Sequence, residues 1–233
     1  MGEARIVDLP GGEGAVHAGR WEPSLRERPF LRELELVGAT DAALREAGGM
    51  SGLVEFGARG EFTDEGARAL RGLTALTGLA LESPWLEGRF ALPDAKLREV
   101  SLAGERLGDG AFRMLALHPE TTSVRLSAGG AVGTGLWWLP SGLRTLYLRL
   151  PRLVPEHLEA LAQLPYLNAL TFAGVAPTPR LVSQLVRYGG RLTRVGFLGA
   201  AQPPSEVLRP LIETGVKVNA AAPEHGHPGD ITV

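Results

Sequence analysis

A hydrophobic triplet of the form L-x-x-L-x-L returns along this chain at a nearly constant interval, and nothing else in the sequence limits its folds so tightly. With the middle member as marker, the triplet falls at Leu34, Phe56, Leu79, Val100, Val124, Leu146, Leu170, Val195 and Val218. The successive steps are 22, 23, 21, 24, 22, 24, 25 and 23 residues. A sustained period of roughly 20–50 residues marks a stacked array, in which each unit is one supersecondary element that buries its apolar side only against its neighbours.

Each triplet has a physical reading. In Leu31-Arg32-Glu33-Leu34-Glu35-Leu36, Leu97 to Leu102, Leu143 to Leu148 and Leu167 to Phe172, the last two apolar residues are two apart. That spacing puts both on one face of an extended strand and turns the residue between them to solvent. The segments between triplets change period. Thr63 and Asp64 are good helix N-caps, and Ala67, Leu70 and Leu73 follow at helical spacing. Asp41 to Leu44, Leu107 to Leu115, Pro155 through Leu158 and Leu161 to Leu164, Leu181 to Leu185 and Val207 to Leu211 repeat the scheme, whereas Leu139-Pro140-Ser141-Gly142-Leu143 is shorter.

These residues resemble the leucine-rich repeat. Thr63-Asp-Glu-Gly-Ala-Arg-Ala-Leu70 and Leu107-Gly-Asp-Gly-Ala-Phe-Arg-Met-Leu115 are similar to the D-x-G-A-x-x-L stretch of bacterial GALA-type and ribonuclease-inhibitor-like repeats. The resemblance implies a curved α/β solenoid of about nine repeats of 21–25 residues, with a parallel sheet on the concave face and helices or irregular turns on the convex face. It also implies that an Asp or Thr opens each convex helix and that a Gly-Ala pair lets it pack closely. The chain departs from the family at one position. Where an asparagine usually ties adjacent turns together, it carries Ala39, Pro84, Glu105, Gly129, Pro151, Val175 and Ala200. The expected organisation is an N-terminal cap over 1–30, a solenoid over 31–219 and a flexible tail over 220–233. In the cap, Ile6 to Leu9 reads as one strand, followed by a Gly-rich turn.

Composition excludes several classes. A net charge of −2 implies no gross attraction to nucleic acid or to a membrane. The absence of cysteine excludes a disulfide framework, a Cys-ligated zinc site and a cysteine nucleophile. Together with the lack of a signal-like start, it points to a cytoplasmic protein. The bias to Ala, Gly, Arg, Leu and Pro resembles proteins of GC-rich bacteria.

Candidate chemistry is sparse. His225, His227 and Asp230 have ligand-type side chains but sit in the expected tail, while His118 and His157 read as surface residues. The chain has neither a G-x-x-x-x-G-K-[ST] loop nor a G-x-S-x-G elbow. No catalytic residue, cofactor or metal is therefore expected. The tandem Trp137-Trp138 lies between Leu136 and Leu139, which share one helical face. Either one indole fills a gap in the convex layer, or it is an exposed anchor for a partner or a second copy. Trp85, in a helix-poor repeat, poses the same choice.

Projection of the solvent-facing strand positions gives the sharpest functional expectation. Early repeats present Glu33, Glu35, Glu55, Glu82 and Glu99, with Arg59 as the exception; later ones present Arg125, Tyr147, Arg149, Arg194 and Lys217. A sheet face acidic at one end and basic at the other suits a protein or extended peptide and disfavours nucleic acid. The expected function is a non-catalytic protein- or peptide-binding module. The alternative is an enzyme, or an accessory subunit of one, with its site on the solenoid loops.

Overall fold

A computed structural model describes the backbone of residues 5–9, 12–18, 31–199 and 204–221. The strands are β1 (Arg5–Leu9), β2 (Gly12–Ala18), β3 (Leu31–Thr40), β4 (Glu55–Glu61), β5 (Gly78–Glu82), β6 (Glu99–Gly104), β7 (Ser123–Ala128), β8 (Thr145–Arg149), β9 (Ala169–Ala173), β10 (Arg194–Leu198) and β11 (Lys217–Ala221). They form one open sheet in sequence order; β1 and β2 are antiparallel and every other neighbouring pair is parallel.

The triplet is the register of this sheet. Leu34 pairs with Phe56, Phe56 with Leu79, and the ladder continues through Val100, Val124, Leu146, Leu170 and Val195 to Val218 without a slip. A one-residue shift would turn every apolar side chain of a strand to solvent. The inward residues from Leu34 to Phe197 are almost wholly buried and belong to a single core. Phe172 and Phe197, partners in the ladder, stack with centroids 5.6 Å apart.

The connections cross the opposite side of the sheet. Five are α-helical: α1 (Asp41–Ala47), α2 (Asp64–Arg68), α3 (Gly110–Leu115), α4 (Pro179–Tyr188) and α5 (Ser205–Glu213). Segments 134–138 and 155–163 are 3-10 turns, and residues 83–98 are irregular, held down by Leu86, Phe90 and Leu92. The helix expected from Pro155 is thus a 3-10 helix. Its rise of about 2.0 Å per residue, against 1.5 Å for an α-helix, gives this nine-residue segment a longer reach across the back of the repeat.

Three aspartates tie adjacent repeats together. Asp41 Oδ1 accepts the backbone N–H groups of Thr63 and Gly66. Asp64 accepts those of Glu87, Gly88 and Arg89, and Asp109 those of Val132, Gly133 and Gly135. Each reaches one repeat ahead, into the start of the next connection. Gly88 and Gly133 donate their N–H groups to these carboxylates at φ of 83° and 98°, a backbone region that side-chain-bearing residues rarely adopt.

Other expectations change at the ends. The Gly-rich stretch after β1 is itself part of a strand, β2, which pairs antiparallel with β1 and parallel with β3. β11 runs through Ala221, past the expected start of the tail at 220. His225, His227 and Asp230 lie outside the described residues.

Candidate functional site

The side of the sheet not covered by the connections carries three rows of side chains, aligned by the ladder. Strand to strand, the first row reads Glu33, Glu55, Gly78, Glu99, Ser123, Thr145, Ala169, Arg194 and Lys217. The middle row reads Glu35, Gly57, Ala80, Ser101, Arg125, Tyr147, Thr171, Gly196 and Asn219. The third runs from Val37 through Arg59, Glu82, Ala103 and Ser127 to Arg149. Neighbouring members of a row stand about 4.8 Å apart. Ten of the twelve residues singled out from the sequence lie on this one surface, and the two tryptophans do not.

Small residues shape the acidic end. Glu55 folds over Gly78, where a Cβ would collide with its carboxylate, and Thr77 Oγ1 donates to Glu55 Oε1 at 2.7 Å. Glu35 packs its stem over Gly57 in the same way. Burial raises the pKa of Glu55; the Thr77 hydrogen bond opposes this, and the charges of Glu99 and Glu33 push in the same direction as burial. Glu82 differs from its neighbours. It accepts from Arg59 Nε at 2.9 Å, so these two charges cancel locally. The acidic field is therefore carried by Glu33, Glu35, Glu55 and Glu99.

From β7 onward the charge changes sign, and the Arg125 guanidinium lies 4.9 Å from the centroid of the Tyr147 ring, a cation–π contact. Arg149, Arg194 and Lys217 are exposed. Beside these residues, over β6 to β9, the rows hold mostly hydroxyls: Ser101, Ser123, Ser127, Thr145 and Thr171. Sequence projection passed over these positions, although the same two-residue alternation places them. The arginine–tyrosine contact joins residues 22 apart and becomes visible only with the register.

Trp137 and Trp138 occupy the 3-10 turn at the back of the sheet and are 49% and 48% exposed. Neither fills the core, because Gly135, Leu136 and Leu139 already take the inward positions. Arg113 stacks on Trp138 at 5.3 Å, and Gln163 Nε2 donates to the Trp137 carbonyl at 2.9 Å. Trp85 is likewise exposed, under Arg106 at 4.4 Å. His118, expected at the surface, is only 8% exposed. The turn leading into β7 lies against the preceding repeat, where His118 Nδ1 is 3.4 Å from the Ala95 carbonyl and Thr121 donates to the Leu97 carbonyl. Burial lowers the His118 pKa, against the opposing effects of the Ala95 carbonyl and Asp94. His157 is half-buried, with Nδ1 3.0 Å from the Val132 carbonyl.

A notch of about 310 Å³ opens between the last turns of two repeats, lined by leucines with Arg187, Tyr188 and Arg191. Its walls carry no carboxylate, imidazole or hydroxyl nucleophile other than the tyrosine. Among the described residues, no group of three or more His, Asp or Glu side chains is placed to hold a metal ion, and no helix is long and apolar enough to cross a membrane. Compared with family models and with curated proteins, the chain matches none.

Proposed function

We propose that this chain is a leucine-rich-repeat protein of the bacterial type whose uncovered sheet face binds a protein or an extended peptide, without catalysis. One observation carries the reading. The ladder gathers Glu33, Glu35, Glu55 and Glu99, which have no cationic partner among the described residues, on β3 to β6 of a continuous surface, and Arg125, Arg149, Arg194 and Lys217 on the strands from β7 to β11. Helices are about 10 Å wide and strands 4.8 Å apart, so the stack is wider at the back and the sheet becomes its inner face. Such a surface steers and orients a partner of opposite polarity. It fits a ribbon-like segment crossing the strands, whose side chains meet the rows in turn.

The test is kinetic. A partner recovered by affinity capture with the intact chain is re-measured against the Arg149→Glu, Arg194→Glu double variant. Association is expected to slow by about tenfold or more at low salt, with a flatter salt dependence and an unchanged melting temperature. A partner that binds the double variant at the wild-type rate does not use this face. The exposed Trp137 and Trp138 support a second contact, to another copy of the chain, and sedimentation of their alanine variants measures it.

A further inference from the structure

The middle of the sheet face holds a cluster that charge polarity alone does not explain. Leu146 and Leu148 are fully buried, so the alternation of β8 turns Tyr147 and Arg149 to the uncovered face. On β7, Val124 and Leu126 are buried in the same way, and Arg125 and Ser127 face outward. The register pairs Arg125 with Tyr147 and Ser127 with Arg149. Four side chains therefore stand at the corners of a square, guanidinium groups on one diagonal and hydroxyls on the other.

The two arginines are one strand and two residues apart, roughly 8 Å between backbones, well within the reach of two long side chains converging on one point. Arg125 is already ordered by the Tyr147 ring, which leaves the N–H edge of its guanidinium free while the face is stacked. Neither arginine has a carboxylate partner among the described residues. Glu99, on β6, is offset from Arg125 by one strand and two residues and makes no ion pair with it. The other neighbours in the rows are Ser101, Ala103 and Thr171, which carry no charge. An oxyanion between the two guanidinium groups would accept up to four directed hydrogen bonds from this square.

We infer that Arg125, Ser127, Tyr147 and Arg149 form an oxyanion site that anchors an acidic side chain of the partner. This rests on the reading of the uncovered face as the binding surface. The ligand chemistry is a carboxylate or a phosphate group carried by an extended peptide. A basic residue of the same peptide falls over Glu55 and Glu99, which flank Gly78 about 15 Å away, or about four to five residues of extended chain.

The full chain, labelled with ¹⁵N, is titrated with sodium acetate and with inorganic phosphate while the arginine Nε–H signals are followed. Arg125 and Arg149 are expected to shift together and saturate at millimolar anion, and Arg149→Ala is expected to weaken the Arg125 response at least tenfold. Arg209→Ala, on α5 away from this face, should leave it unchanged. Equal, unsaturable shifts at every exposed arginine, or an Arg125 response indifferent to Arg149→Ala, overturn the site. Three capped peptides, identical except for Ala, Glu or phosphoserine four residues after a Lys, then identify the source of the anion. Tighter binding of the Glu or the phosphoserine peptide supports the site and names the ligand; equal binding of all three overturns its role as an anchor. Since these readouts need no captured partner, they separate failure of this site from failure of the wider binding reading.

Discussion

At the scale of a single residue, Asp109 ties two neighbouring repeats together through three backbone N–H groups. Burial alone would raise its pKa, but backbone N–H groups of Gly135, Val132 and Gly133 and the Thr134 hydroxyl outweigh that and hold it below the ordinary value. A carboxylate with a depressed folded pKa stabilises the fold above its unfolded pKa and loses that contribution as pH falls through the folded one. Asp109→Ala should cost about 1–2 kcal/mol at pH 7, the range for losing a capping acceptor. The gap to the parent chain should narrow below about pH 4. Urea unfolding between pH 7 and pH 3 measures both; a gap independent of pH would mean that the bonds act as neutral acceptors. The glycines separate as clearly. A Cβ at Gly66 would strike Asp41 of the preceding repeat, whereas one at Gly110 meets only the Gly88 carbonyl at 3.6 Å. Gly66→Ala is expected to lower the melting temperature by several degrees and Gly110→Ala to leave it nearly unchanged, although both come from the same Gly-Ala pattern. Equal effects in thermal melts would show that the pair acts only through helix propensity.

Among the elements, the strands are nearly uniform and the connections are not. Every strand from β3 to β10 offers the same two buried positions to the core, but the backs of the repeats use α-helix, 3-10 helix or irregular chain as their length and glycine content allow. The 134–138 turn is the thinnest of these. Its indoles lie on top of the structure, so Trp137→Ala and Trp138→Ala should each cost less than about 1 kcal/mol, most of it at Trp138 through the lost Arg113 contact. Phe112→Ala, at the fully buried position of α3 that corresponds to Leu136, should cost about 3–5 kcal/mol. Calorimetry on the three variants distinguishes surface from core; a loss at Trp137 as large as that at Phe112 would overturn the exposed placement.

For the whole molecule, the consequence of stacking is shared stability. Each repeat touches mainly its neighbours, so folding free energy is a sum of repeat and interface contributions. Leu146 sits mid-array, pairing with Val124 on one side and Leu170 on the other. Leu146→Asp places an unpaired charge in the common core. It should unfold the array in one transition or split it into two shorter blocks, seen as loss of the far-UV signal at room temperature. A native melting profile for this variant would show that the repeats are not coupled. The hairpin of β1 and β2 closes the first edge of the sheet with antiparallel pairing, while β11 ends the stack with Val218 only partly covered.

The sequence by itself determined the period, the nine aligned strands, the face each strand side chain occupies and the separation of acidic from basic repeats, because strand alternation is local and each triplet carries it independently. It also exposed the aspartates at the openings of the connections, though not what they hold. Tertiary structure alone decided which side chains meet. The repeats differ in length by up to four residues, and the connections absorb those differences, so rows come into line only once every connection has taken its shape. That alignment pairs Arg59 with Glu82 and so removes Glu82 from the acidic field, seats Arg125 on Tyr147, closes Glu55 over Gly78, and buries His118 under a neighbouring turn. Each of these contacts joins residues 22 or 23 apart in sequence. Their energy depends on ångström-scale placement across two repeats, and a pattern of residue types within one repeat carries no record of it.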